Sequence, residues 1–289
     1  MNYSVIIPAH NEEAFIGITL QSLTKQSVLP TEVIVVNDHS SDKTPTIVEQ
    51  FARDFPWIRL VNRTSKAEHQ PGSKVILAFL AGLPHLTKPY DILVKLDADL
   101  DLPLNYFEQI VNEFSHNPKA GILGGHAYIE KNNQWQLEQL TDPDHVRGAF
   151  KSYRKEVYDA IGGLRPQMGW DTVDELLAKY HNWDVYTLTN LKVKHLKPTG
   201  ANYQPDALLK QGGAYYTLGY GFWITTIAAL KLALNKRKPL YFFRYLQGYF
   251  GAKNAQLPKM VNREEEQFIR QYRWHKILEK LGVRKSQKH

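Results

Sequence analysis

Two aspartates separated by one residue, Asp97-Ala98-Asp99, follow directly on the apolar run Ile92-Leu93-Val94-Lys95-Leu96. A buried strand that ends this way sets its carboxylates at the carboxyl edge of a sheet, where open α/β sheets bind their ligands. Paired carboxylates on such a bend are hard oxygen donors suited to Mg²⁺ or Mn²⁺, and a cation held there would neutralise a diphosphate. Two earlier apolar runs end in similar polar turns. Val5-Ile6-Ile7 leads through Pro8-Ala9 into His10-Asn11-Glu12-Glu13, and Val33–Val36 leads into Asn37-Asp38-His39-Ser40-Ser41-Asp42. Glu12, Asp38, Asp97 and Asp99 are therefore expected along one edge of one sheet. Later in the chain, Asp171, Asp174 and Glu175 form a second acidic group, and His195 closes an alternating segment.

These groups need a scaffold. Tyr3–Ile7, Glu32–Val36, Ile58–Val61 and Ile92–Leu96 read as strands covered on both faces. Between them, Glu12–Thr24, Thr46–Phe55 and Lys74–Leu83 carry helical spacing. Strand alternating with helix predicts βαβ units and an α/β fold with a mostly parallel sheet flanked by helices. Beyond Asp99 the pattern predicts a helix over 103–117, a strand over Gly121–Tyr128 and a helix over Phe150–Ile161 stopped by Gly162-Gly163. A helix over Asp174–Tyr180 and a strand over Tyr186–His195 complete the body.

The three polar turns together resemble the family-2 glycosyltransferases, nucleotide-sugar enzymes of the Rossmann-like GT-A fold. Their first strand ends in P-x-x-N-E, the second in a D-x-S-x-D-like turn and the fourth in D-A-D, and the resemblance covers roughly residues 1–200. It implies that Pro8, Ala9 and Glu12 line the nucleotide edge, that Asp38 reads the base, and that Asp97 and Asp99 hold metal and sugar diphosphate. It also implies a nucleotide-diphosphate sugar as donor, a divalent cation (Mn²⁺ or Mg²⁺) and a glycan or lipid-linked acceptor. Lys74 is a candidate for the phosphates, although Phe79 stands where the family often has Asn. An inverting transfer requires a carboxylate that takes the proton of the acceptor hydroxyl. Gly162-Gly163-Leu164 and the segment from Gly169 to Glu175 resemble the family's Gly-Gly-Phe turn and acidic motif, with Trp170 where Glu is usual. Setting Trp183 against the aromatic that ends the motif helix gives Asp171 as the base, with Asp174 next and Glu175 also in reach. His195 is implied as a further metal or diphosphate contact.

The chain has no Cys, which excludes a disulfide scaffold, a Cys-ligated metal and a thiol nucleophile. No G-x-G-x-x-G follows the first strand, which argues against a dinucleotide-binding dehydrogenase. An inactive nucleotide- or glycan-binding relative of the fold stays as the alternative to an enzyme. Net charge is +7, yet residues 231–289 hold 15 basic and 4 acidic side chains while the first 230 are slightly acidic. We therefore read residues 1–212 as the catalytic domain and 213–289 as a basic, aromatic-rich appendage of amphipathic helices. Apolar stripes at Trp223, Ile227, Leu230, Leu234 and at Phe242, Tyr245, Leu246, Tyr249, Phe250 alternate with Lys236-Arg237-Lys238. That mixture fits an anionic membrane surface better than nucleic acid, which calls for a separate basic face. No basic n-region with a long apolar run opens the chain, so a cytoplasmic protein, peripheral on the inner membrane, is expected.

Overall fold

The computed structural model describes residues 1–64, 73–138, 145–197 and 205–283. The chain divides into two compact units, one of Met1–Pro166 with Trp170–Thr199, the other of Gln167–Gly169 with Gly200–His289.

The first unit opens with β1 (Tyr3–Ala9), α1 (Ile16–Thr24), β2 (Glu32–Asp38), α2 (Thr44–Asp54), β3 (Ile58–Arg63), α3 (Ser73–Gly82) and β4 (Ile92–Leu96). β3, β2, β1 and β4 lie side by side in that order, all parallel. Every residue of β1, β2 and β4 is buried, as expected for strands covered on both faces. α1 begins four residues later than its spacing suggested. Glu12 instead accepts the amides of Phe15 and Ile16 through its carbonyl, at 3.0 and 2.9 Å, so residues 12–15 stay a turn that belongs to the sheet edge.

After β4 come β5 (Leu100–Asp101), α4 (Tyr106–His116), β6 (Ala120–Lys131), β7 (Gln134–Leu137), β8 (Phe150–Arg154), α5 (Lys155–Ala160), α6 (Trp170–Tyr180) and β9 (Asp184–His195). The sheet continues β4-β8-β6-β9-β5, with β7 on the edge of β6. β8 is antiparallel to β4 and β6, and β6 is parallel to β9, so the sheet is mixed. The continuous helix expected over Phe150–Ile161 is thus a central strand followed by a six-residue helix. Tertiary pairing decides this: β8 sits between two strands, and Phe150, Lys151, Ser152 and Tyr153 are all buried. α6 starts at Trp170 and not at Asp174. The core gathers Val5, Ile7, Val33, Val35 and Val94 of the parallel strands with Leu20, Leu23, Phe107 and Phe114 of α1 and α4.

The second unit holds α7 (Pro205–Thr217), α8 (Gly221–Lys236), α9 (Leu240–Asn254) and α10 (Arg263–Lys280). α7 and α9 cross backbone to backbone. A Cβ on Gly212 would lie 1.9 Å from the Tyr245 carbonyl oxygen, and one on Gly248 would lie 2.0 Å from that of Leu209. Only glycine permits that approach.

Candidate active site

The parallel strands deliver their polar turns to one edge, because Ala9 pairs with Asn37 and Ile6 with Lys95 in register. The β1 and β2 turns are stitched together. The Asn11 amide donates to Ser40 Oγ at 3.0 Å, the Ser41 amide to Asn11 Oδ1 at 2.8 Å, and the Glu12 amide to Thr44 Oγ1 at 2.8 Å. Asn11 and His39 both adopt left-handed backbone, at φ 54° and 60°, which non-glycine residues do only where the surroundings enforce it. His10 Nδ1 bonds the Asp38 carbonyl at 2.7 Å, while Arg63 Nη1 donates to Asp38 Oδ1 at 2.9 Å. Asp38 is therefore a buried carboxylate with a guanidinium at its side. Pro8 and Ala9 are the last residues of β1, and Lys74 stands in the first turn of α3.

Asp97 and Asp99 follow β4. Lys95 Nζ bonds one Asp97 oxygen and donates to the Gly148 carbonyl at 2.8 Å. Asp99 Oδ2 lies 3.3 Å from His195 Nε2 at the end of β9, and the Asp99 carbonyl accepts the Leu196 amide at 2.8 Å. Lys197 Nζ reaches Glu12 Oε1 at 2.8 Å. Burial pushes the Asp97 carboxyl up, Lys95 opposes this, and the charge of Asp99 adds to it. Burial also raises Glu12 against the pull of Lys197, and Asp99 and Asp97 raise it further. His195 is raised although burial alone would lower it, because the bond to Asp99 and the charge of Asp97 outweigh burial. Arg147, which pairs with Glu138, works against that protonation. Asp99 thus disfavours the charge of Asp97, and both disfavour that of Glu12. Glu12 Oε2 and His195 Nδ1 are buried polar atoms without a hydrogen-bond partner.

Among the described residues, no group of three or more His, Asp or Glu side chains is placed to hold a metal ion. The chemistry of the donor set still fits a divalent cation. Mg²⁺ and its kin are commonly held by one or two carboxylates and complete their shell with substrate phosphates and water. Asp99, His195 and the Asp97 oxygen turned from Lys95 offer donor atoms of that kind.

α6 carries the second acidic group, and it is built on a buried lysine. Lys151 of β8 is wholly enclosed. Its Nζ lies 2.9 Å from each Asp174 oxygen, 3.0 Å from Glu175 Oε1 and 2.6 Å from the Asp171 carbonyl. Tyr153 Oη donates to Asp174 Oδ2 at 2.6 Å, and the Val146 amide and His145 Nδ1 reach Glu175 at 2.8 and 3.1 Å. Burial raises Asp174 despite Lys151; burial would also raise Glu175, but Lys151 and His145 together hold it below the usual range. Asp174 and Glu175 are thus committed to neutralising Lys151. Asp171 stands in the same first turn, half-exposed; its main-chain carbonyl accepts from Lys151, and the charge of its carboxylate also bears on that ammonium.

Sequence reasoning missed what joins the two acidic groups. The Trp170 indole meets two buried ammoniums, Lys95 at 5.3 Å and Lys151 at 5.7 Å from a ring centroid. Desolvated cation–π contacts of this kind contribute ~2 kcal/mol or more each. A Cβ on Gly148 would lie 2.9 Å from Trp170 Cζ2 and 3.2 Å from Asp171 Cβ, so glycine lets the head of α6 close on the loop that Lys95 holds. The signal was present. A lysine inside the all-apolar run Ile92–Leu96 must find a carboxylate once the strand is buried on both faces.

Residues 4–168 match the family model described as glycosyl transferase family 2. The chain belongs to that family. This family-2 glycosyltransferase is 26% identical to a beta-monoglucosyldiacylglycerol synthase of Synechocystis sp., over 89% of this chain and 56% of that protein. It spans about half the length of the curated relatives it matches. Among solved structures it is similar to the mannosyltransferase PcManGT of Pyrobaculum calidifontis, solved with GDP-Man and Mn²⁺. That likeness covers 97% of this chain and 87% of the other at 16% identity and a TM-score of 0.57. It is also similar to TarS of S. aureus (residues 1–349, solved with UDP-GlcNAc), over 97% and 80% of the two chains at 17% identity and a TM-score of 0.56. At such identities these likenesses establish the GT-A fold alone.

Proposed function

We propose that this chain is an inverting, metal-dependent glycosyltransferase. It moves a sugar from a nucleotide-diphosphate sugar to a glycan or lipid-linked acceptor. The observation that carries this reading is the gathering of Glu12, Asp97, Asp99 and His195 at one sheet edge in a family-2 chain. Beside them, Gly148 touches the Asp171 turn and is held by the same ammonium as Asp97. Asp38, with Pro8, Ala9 and Glu12, would receive the nucleotide, and Lys74 would lie towards the phosphates. Asp97, Asp99 and His195 would hold a divalent cation. When bound, that cation stabilises the negative charge of the departing diphosphate.

In the transfer, Asp171 accepts the proton of the acceptor hydroxyl as its oxygen attacks the anomeric carbon. The new C–O bond forms on the face opposite the diphosphate, the bond to the diphosphate oxygen breaks, and the configuration inverts. Asp174 and Glu175 are poor bases for this task, because removing a proton from the acceptor would compete with their bonds to Lys151. A lipid-linked acceptor is supported by the likeness to a beta-monoglucosyldiacylglycerol synthase. For such an acceptor the enzyme works as a peripheral protein on the cytoplasmic face of the inner membrane. Among the described residues, no helix is long and apolar enough to cross a membrane.

The test is donor turnover. Purified protein should bind nucleotide-diphosphate sugars in the presence of Mn²⁺ and release nucleoside diphosphate, and Asp171→Asn should bind but not turn over. Binding without turnover in the wild type, with every donor and acceptor class supplied, would favour an inactive binding protein instead.

A further inference from the structure

From the surface of the second unit we infer a membrane-docking face on the α8–α9 hairpin whose partner is an anionic lipid bilayer; it deepens, and rests on, the reading of the chain as a transferase that meets a lipid-linked acceptor. α8 has a buried face and, opposite it, an exposed apolar one. It buries Ile224 with the small residues Thr225, Ala229 and Ala233, and leaves Trp223 68%, Leu230 50% and Leu234 67% exposed. Trp223, Ile227, Leu230 and Leu234 recur at helical spacing, so these four form one outward stripe. α9 also leaves apolar groups outside, although its inner face is aromatic. Tyr245, Tyr249 and Ala252 face inward, while Leu240, Phe243 and Phe250 lie outside. The Phe222 and Phe250 rings meet at 5.8 Å and tie the start of one helix to the end of the other.

The turn between the helices joins this apolar surface to charge. Lys236, Arg237, Lys238 and Pro239 are all exposed and flanked by Leu234 and Leu240. Arg237 takes left-handed backbone at φ 53°, and the Lys238 amide closes on the Ala233 carbonyl at 3.0 Å, which makes the turn tight. The hairpin therefore ends in a tip that is both greasy and cationic.

Charge selects the occupant. Residues 221–254, the hairpin itself, contain six Lys and Arg and no Asp or Glu. A second copy of this hairpin would set six cations against six, whereas the headgroups of an anionic bilayer complement them. Leucine, phenylalanine and tryptophan beside Lys and Arg are the composition of elements that lie at the boundary of headgroups and acyl chains. Basic residues supply the attraction and the apolar groups the burial. α8 is 16 residues long, about 24 Å, against a hydrocarbon core of roughly 30 Å, so the hairpin docks and does not span.

The experiment is sedimentation of the full chain with vesicles of phosphatidylcholine with and without phosphatidylglycerol, with donor hydrolysis measured on the same samples. Wild type should pellet with the anionic vesicles only. Raising salt from about 0.1 M to about 1 M shrinks the screening length from about 10 Å to about 3 Å, and should release most of it. Lys236→Glu/Arg237→Glu/Lys238→Glu should weaken vesicle binding by at least about 100-fold, and donor hydrolysis should stay at the wild-type level. Trp223→Ser/Leu234→Ser/Phe243→Ser should lose binding as well, without the salt dependence changing sign. These side chains are exposed, so unfolding of both variants is not expected, and a circular dichroism spectrum checks it. Wild type that ignores anionic vesicles at low salt overturns the proposal. So does a wild-type dimer that the serine variant converts to a monomer without any lipid effect, since the face would then join two copies. Vesicle binding with no donor turnover would leave the docking face standing and remove the transferase reading instead.

Discussion

Replacing Lys151 by methionine tests the architecture of α6 most sharply. The side chain is wholly buried, and its ammonium is the shared partner of both Asp174 oxygens, Glu175 Oε1 and the Asp171 carbonyl. Methionine fills nearly the same space but supplies no charge. Two carboxylates then remain in the interior with Tyr153, His145 and the Val146 and Glu175 amides against them, and no full positive charge fixed between them. Breaking a buried ion pair by deleting one partner costs about 3–5 kcal/mol, and a Tm shift of roughly 10 °C corresponds to that for a unit of this size. The pH dependence carries the diagnosis. Burial already raises the Asp174 carboxyl above 3.8, and loss of Lys151 should raise it further. A carboxyl that binds its proton more tightly when folded favours folding as pH falls, so the deficit of the variant should shrink from pH 7 towards about pH 5. Glu175 in the wild type behaves oppositely. It is held below 4.5, so its contribution is present at neutral pH and is lost as pH falls through its folded value. Denaturant unfolding of wild type, Lys151→Met and Lys151→Met/Asp174→Asn/Glu175→Gln across that range measures all three curves. The triple variant should recover most of the loss. A deficit below about 1 kcal/mol, or one that does not change with pH, would show that Lys151 is not the counter-ion we describe.

The remaining expectations concern the mouth of the site and the second unit. Asp171→Asn should lower transfer by at least ~10²-fold with donor affinity intact, whereas Asp174→Asn should chiefly destabilise the fold; the reverse pattern in kcat and in Tm would move the base to Asp174. Asp99→Ala should abolish Mn²⁺-dependent donor binding in calorimetry, and unchanged affinity would remove that residue from the metal site. Trp170→Leu should destabilise the chain by a few kcal/mol, since both buried ammoniums lose their ring, and retention of the wild-type Tm would contradict it. Gly248→Leu should unfold the second unit before the first in a two-step melt, because the backbone contact with Leu209 leaves no room for a side chain.

Much of this protein was legible in one dimension. The parallel half of the sheet was readable because its strands are short apolar runs closed by Asn, Asp and Ser, and because period and turn chemistry agree there. The placement of Glu12, Asp38, Asp97 and Asp99 on one edge follows from that topology alone. The stripe Trp223, Ile227, Leu230, Leu234 was likewise visible as spacing. Its exposure was not, since periodicity says which residues share a face and nothing of whether that face is covered.

Tertiary structure decided the rest. Phe150–Arg154 carries local helical character, yet it is inserted antiparallel between β4 and β6, where long-range pairing outweighs propensity. With that strand come Lys151 and Tyr153, and they divide three neighbouring acids into two that neutralise a buried cation and one left at the surface. Spacing along the chain cannot make that division. Asp171, Asp174 and Glu175 differ in sequence by a few positions only, while a low-dielectric interior separates a paired carboxylate from a half-exposed one by several kcal/mol.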